Sequence, residues 1–78
     1  MTIYQVAITI ANPGRPDIPL KHDIPFSGKK TAIAYARQEI APDVREIWVD
    51  TLKSDGKGGF NAFGVPICIH QNFQAGTI

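Results

Sequence analysis

Between Ile3 and Ala11 the side chains alternate. Tyr4, Val6, Ile8 and Ile10 fall on one side, and Gln5 and Thr9 on the other with Ile3 and Ala7. A period of two, rich in β-branched residues, predicts a half-buried strand. The stretch Asn12-Pro13-Gly14-Arg15-Pro16 ends it, because two prolines and a glycine favour a turn over a regular ladder. From Asp17 to Phe26 the alternation resumes, with Ile18, Leu20, His22, Ile24 and Phe26 facing away from Asp17, Pro19, Lys21, Asp23 and Pro25. Proline removes a ladder donor, so this strand belongs at a sheet edge or breaks at Pro19 and Pro25. Lys21 and the prolines also discourage pairing with another chain. The two segments together predict a hairpin.

A helix follows over 28–40, with Ser27 as its expected N-cap and Pro42 with Asp43 closing it. Ala32, Ala34 and Ala36 raise its propensity. Ile33, Ala36 and Ile40 share a stripe with Ala32 beside it, and a single narrow apolar stripe suits docking on one face of a sheet. Lys29 and Lys30 stand in the first turn, where the helix dipole disfavours cations by about a few tenths of a kcal/mol. That placement does not help the helix, which points to a use in binding. Residues 44–53 alternate again, Ile47, Val49 and Thr51 against Glu46, Trp48 and Asp50. The loop Ser54-Asp55-Gly56-Lys57-Gly58-Gly59 leads into Phe60 to His70, one strand or two short ones bent at Pro66, with Phe63, Val65, Ile67 and Ile69 as its apolar parity. The tail from Gln71 shows little pattern and is expected to fray.

The order β-β-α-β-β predicts an α+β fold: a single four-stranded, mainly antiparallel sheet with one helix packed on one face. The expected core is Val6, Ile8, Ile10, Leu20, Ile24, Ile33, Ala36, Ile40, Ile47, Val49, Phe63, Val65 and Ile67. One helix covers only one side, so the opposite parity is expected to be wet. That row holds Gln5, Thr9, Lys21, Asp23, Glu46, Trp48, Asp50, Cys68 and His70, with Ala7, Ala62 and Gly64 between them. Trp48 is its odd member, a large aromatic between two carboxylates. Tryptophan is enriched at the centres of protein interfaces. The indole is either such an anchor or is covered by the tail or Pro66, and a homodimer through this face would also bury it.

Composition narrows the class. With 78 residues, the chain reads as one domain with its core over 3–70, and folding buries about 60% of the surface of the unfolded chain. A 44% apolar and 19% charged content argues against disorder. Eight basic and seven acidic residues leave +1, which supports neither a basic arm nor an acidic nucleic-acid mimic. One cysteine makes no internal disulfide, no apolar run is long enough to span a membrane, and Met1 to Ile10 lacks the marks of a signal peptide. The expected setting is cytoplasmic.

Catalytic and metal chemistry is not supported. Cys68 and His70 share a parity, with Asp50 or Asp23 as a nearby acid, but positions two apart on a strand rarely bring a thiol to an imidazole. His22, Cys68 and His70 lack the spacing of a zinc set, and His22 falls on the core parity. The glycines around Lys57 lead into a strand, not a helix, so the loop is a hairpin turn and not a phosphate cradle. No cofactor, metal or catalytic residue is therefore expected. Basic residues fall into two groups, Lys29, Lys30 and Arg37 on the helix and Lys53 with Lys57 at the second hairpin tip, with Arg15 at the first. Nucleic-acid binding would require these groups to converge; otherwise they form a solvated face.

In chain length, near-neutral single-domain composition and β-β-α-β-β order, Ile3 to His70 resembles the small phage-borne anti-CRISPR proteins that block class 1 interference complexes. The likeness is one of layout. Those proteins share no signature motif, so it assigns no residue a role, and at +1 the chain departs from the strongly acidic DNA mimics among them. The resemblance implies stoichiometric binding to a Cas subunit or Cascade-like complex, occluding target DNA. Candidate contacts, read from the surface pattern, are Trp48, Lys29, Lys30, Arg37, Lys53 and Lys57. The alternative is a small nucleic-acid-binding or assembly accessory protein of phage or bacterial origin.

Overall fold

The structure, a computed structural model, describes residues 2–21 and 25–74, without the side chains of Leu20 and Lys21. Its elements run β1 (Thr2–Ile10), β2 (Ile18–Lys21), α1 (Lys29–Gln38), β3 (Val44–Ser54), β4 (Phe60–Ala62) and β5 (Ile67–Gln71). The fold is α+β, with an antiparallel sheet in the order β2-β1-β3-β4, and β5 also paired to β3. The expected fourth strand is thus two. Gly64, at φ +73°, and Pro66, which has no N–H, interrupt the ladder between β4 and β5.

The register sorts the side chains. On one face Val6 pairs with Val49 and Ile8 with Ile47; on the other Gln5 meets Asp50, Ala7 meets Trp48 and Thr9 meets Glu46. The α1 helix lies on the first face. Ala32 and Ala36, one turn apart, are fully buried there against Val6, Ile8, Val44, Ile47 and Val49. Because these two positions carry only methyl groups, helix and sheet approach closely. Ile10, Ile33, Tyr35, Ile67 and Ile69 pack around that centre, and the Phe26 and Tyr35 rings stand 5.2 Å apart at its margin.

Several expectations change here. The N-cap is Gly28 rather than Ser27, and no side chain caps the helix. Phe26 is tied to Tyr4 by two backbone hydrogen bonds of 2.8 and 3.0 Å, so the chain is still strand-paired just before Ser27. The helix also ends at Gln38, which leaves Ile40 outside its stripe and 46% exposed. Val44 is buried in the core and Ala41 packs against it, whereas Ile40 does not. Phe63 and Val65 are likewise not core residues, at 53% and 86% exposed. A ten-residue helix is about 15 Å long, whereas the eleven residues of β3 span about 36 Å. The helix cannot reach the far end of the sheet, and the molecule is elongated, 47 × 23 × 20 Å.

The first hairpin follows the prolines. β2 is short and has β1 as its neighbour, the outer position that Pro19 tolerates. Of the tail expected to fray from Gln71, Gln71 itself belongs to β5, and Asn72 and Phe73 are hydrogen-bonded to Arg45. The expectations for the tail beyond Gln74, for the side chains of Leu20 and Lys21, and for His22, Asp23 and Ile24 fall outside the described residues.

Candidate interaction surfaces

Two surfaces lie away from the helix. The first is the reverse face of the sheet. Trp48 sits in its middle row, with Ala7 on one side and Cys68 on the other. The indole is half-buried. Among the described residues the one helix packs on the opposite face, so no second layer lies over this one. Glu46 and Asp50 flank Trp48 along β3, and Glu46 accepts a long hydrogen bond from Gln71 at 3.5 Å. Ile3 and Leu52, which pair with each other, extend the face towards the far end.

The row differs from the expected one at His70. Ile47 pairs with His70 while the next residue, Trp48, pairs with Cys68, so Ile69 is an extra residue in β5. This β-bulge breaks the period of two. Ile69 packs on the core, His70 lies opposite buried Ile47 with its Nε2 out of reach of solvent, and Gln71 takes the place on the reverse face. Cys68 remains on that face and is exposed. The parity that brought thiol and imidazole together is undone by one inserted residue.

The second surface is the far end of the β3–β4 ribbon. All of β4 is exposed, and Phe60, Phe63 and Val65 are exposed large apolar residues within one short stretch. The Lys53 ammonium lies 3.6 Å from the centroid of the Phe63 ring, a cation–π contact worth about 0.5–1 kcal/mol at an exposed site. The connecting loop is self-contained. Asp55 Oδ1 accepts from the backbone N–H groups of Lys57 at 2.7 Å and Gly59 at 3.1 Å. Ser54 Oγ accepts from Gly56 at 3.2 Å. Gly56 and Gly58 have φ +77° and +87°, a region that side chains rarely enter. Three of the amides that a phosphate cradle would offer to a ligand are taken up within the loop, two by the Asp55 carboxylate and one by the Ser54 hydroxyl.

The basic candidates divide between the two ends of the sheet. Lys29 and Lys30 open a helix that starts just after Phe26, which bridges Tyr4; Tyr4 pairs with Thr51, two residues before Lys53. Lys29, Lys30, Lys53 and Lys57 therefore belong to one end, and no carboxylate among the described residues forms an ion pair with them. Arg37 is in the last helical turn, at the opposite end with Arg15.

That opposite end carries a residue the sequence reading did not single out. Arg45 is the extra residue where the β1–β3 register shifts. Its Nε lies 2.6 Å from an Asp17 carboxylate oxygen, and its guanidinium donates to the Phe73 carbonyl at 3.0 Å. Its own carbonyl accepts from Asn72 at 2.7 Å. It ties the first hairpin to the segment after β5. Nothing in the alternation of β3 marks it, because the bulge arises from pairing.

On the helix, burial of the Tyr35 phenol pushes its pKa above 10, helped by the Glu39 carboxylate one turn on, which also accepts its hydrogen bond. Among the described residues no group of three or more histidine, cysteine or acidic side chains is placed to hold a metal ion, and no helix is long and apolar enough to cross a membrane. No protein-family model, curated protein or solved structure matches the chain.

Proposed function

We propose that the chain is a non-enzymatic protein-binding inhibitor, acting in the host cytoplasm by occupying a Cas or Cascade-type complex and blocking target DNA, as the anti-CRISPR resemblance implies. The observation that carries the binding reading is the reverse face of the sheet, with a half-buried Trp48 and no second layer of described residues over it. A rigid strand pair presents the indole between small neighbours, and Glu46 and Asp50 form a charged rim around it. Affinity then comes from desolvating the ring, and partner choice from the charges. The separation of Cys68 from His70 favours binding over thiol catalysis.

The test is addition of the purified chain to class 1 effector complexes, followed by a target-DNA gel shift. The expected result is a stoichiometric block that Trp48→Ala weakens by about 30-fold, the consequence of losing about 2 kcal/mol at a hot spot. If the parent chain neither binds these complexes nor alters their DNA binding, the anti-CRISPR reading ends.

A further inference from the structure

We propose that the free edge of β4 takes up an extended, acidic segment of a partner protein as an additional strand. The inference rests on the chain being a partner-binding protein but concerns a different surface from the Trp48 face. On its inner side β4 is paired with β3, Ser54 to Phe60, Lys53 to Asn61 and Leu52 to Ala62. The ladder bonds on that side involve alternate residues. Asp55 N–H donates to the Gly59 carbonyl at 3.1 Å and Phe63 N–H to the Thr51 carbonyl at 2.8 Å. Antiparallel alternation then turns the backbone groups of Phe60 and Ala62 outwards, where they offer two donors and two acceptors to an incoming strand.

Side chains equip both faces of this edge. Phe60 shares the reverse face with Ser54, whereas Phe63 lies on the helix side under Lys53, beyond the reach of the helix. An added strand sends alternate side chains to both faces, so its apolar residues on each side would meet a phenylalanine. Of the other outer strands, β2 is blunted by Pro19 and β5 is kinked by its bulge at Ile69, whereas β4 contains neither proline, lysine nor a bulge.

Charge sets the partner's chemistry. Lys53 and Lys57 flank the edge, Lys29 and Lys30 lie at the helix start that faces it, and Asp55, the carboxylate of the adjoining loop, accepts hydrogen bonds from the loop amides. Pairing of β4 with β4 of a second copy would bring the two Lys53–Lys57 sets together, a like-charge arrangement that disfavours self-association. An acidic segment relieves that repulsion. The exposed aliphatic Val65, two residues after Phe63 in the chain, favours a protein over a nucleic-acid backbone.

The probe is an extended peptide with two adjacent valines, one for each face, flanked by glutamates, and binding is followed by amide NMR and hydrogen exchange on the full chain. Binding is expected to slow exchange at Phe60 and Ala62, and to weaken with added salt. The same peptide with lysine for glutamate is not expected to bind. K53E/K57E is expected to lower affinity by about tenfold or more. Ala62→Pro removes an outward N–H without touching the β3 ladder and is expected to abolish binding with an unchanged circular dichroism spectrum; if it unfolds, the charge reversal still decides the matter. Equal binding of both peptides, perturbations confined to the Trp48 row, or a preference for an oligothymidylate over the acidic peptide would each overturn the proposal. Its fate is separable from the inhibitor reading, since effector complexes blocked through Trp48 without peptide binding would sink only the strand-addition proposal.

Discussion

Under α1, Val6, Ile8, Ile47 and Val49 lose almost all contact with water, while a few residues further along the same ribbon Phe60, Phe63 and Val65 keep 40 to 86% of their surface exposed. The two regions share β3 and draw on the same kind of side chain. What separates them is the length of one helix. Ala32 and Ala36 close the covered half, and Gln38 ends the helix, whose start at Lys29 lies near Tyr4, before the far end of the ribbon. Apolar character is thus a structural resource in one half and an exposed surface in the other. The basic residues follow a related division, with Lys53 and Lys57 at the bare end, Lys29 and Lys30 on the helix start that faces it, and the Arg45–Asp17 pair at the opposite end.

The largest expected contrast is in stability. Ile47→Ala is expected to cost about 2–5 kcal/mol, since it empties space in a closed core. Phe63→Ala is expected to cost less than about 1 kcal/mol, the scale of a surface change plus one cation–π contact. Urea unfolding of both variants measures this, and similar losses would mean that the ribbon end is packed after all. An intermediate effect is expected at the loop. Gly56→Ala forces a side chain into φ near +77° and is expected to cost about 1–2 kcal/mol by the same assay. A neutral result would show that the loop relaxes independently of the sheet.

The smallest effect concerns the margin of the covered half, where Tyr35 meets Phe26. Above the ordinary phenol range, the folded chain still holds a proton that the unfolded chain has released. Rising pH therefore favours unfolding, and this contribution is lost as pH climbs past about 10. Glu39→Gln removes the carboxylate that adds to the shift and is expected to lessen the decline. Urea midpoints followed from neutral pH to about pH 11 test this, and an unchanged decline in Tyr35→Phe would show that other groups cause it.

Much of the sheet was legible residue by residue. The alternation in β1 and β3 assigned Val6, Ile8, Ile47 and Val49 to one face and Gln5, Trp48 and Asp50 to the other, and the pairings agree. Pro19 marked an outer strand, and the loop around Lys57 was recognisable as a turn. Trp48 was identifiable as the unusual residue of the reverse face, though its degree of burial was not. Alternation reports which side a residue faces but not whether anything lies there, so Phe63 and Val65 were indistinguishable from core residues. The end of the helix, two residues short of Ile40, had no strong stop signal of its own.

Local chemistry, then, was enough to specify the elements, their order and the two faces, because side-chain period and turn residues act over a few positions. Assembly settled the rest. Which partner strand an edge finds decides where a residue is squeezed out, and so turned His70 inwards and made Arg45 a tie. How far a short helix reaches along a long ribbon decides which apolar residues are sealed, and that depends on contacts between segments distant in the chain.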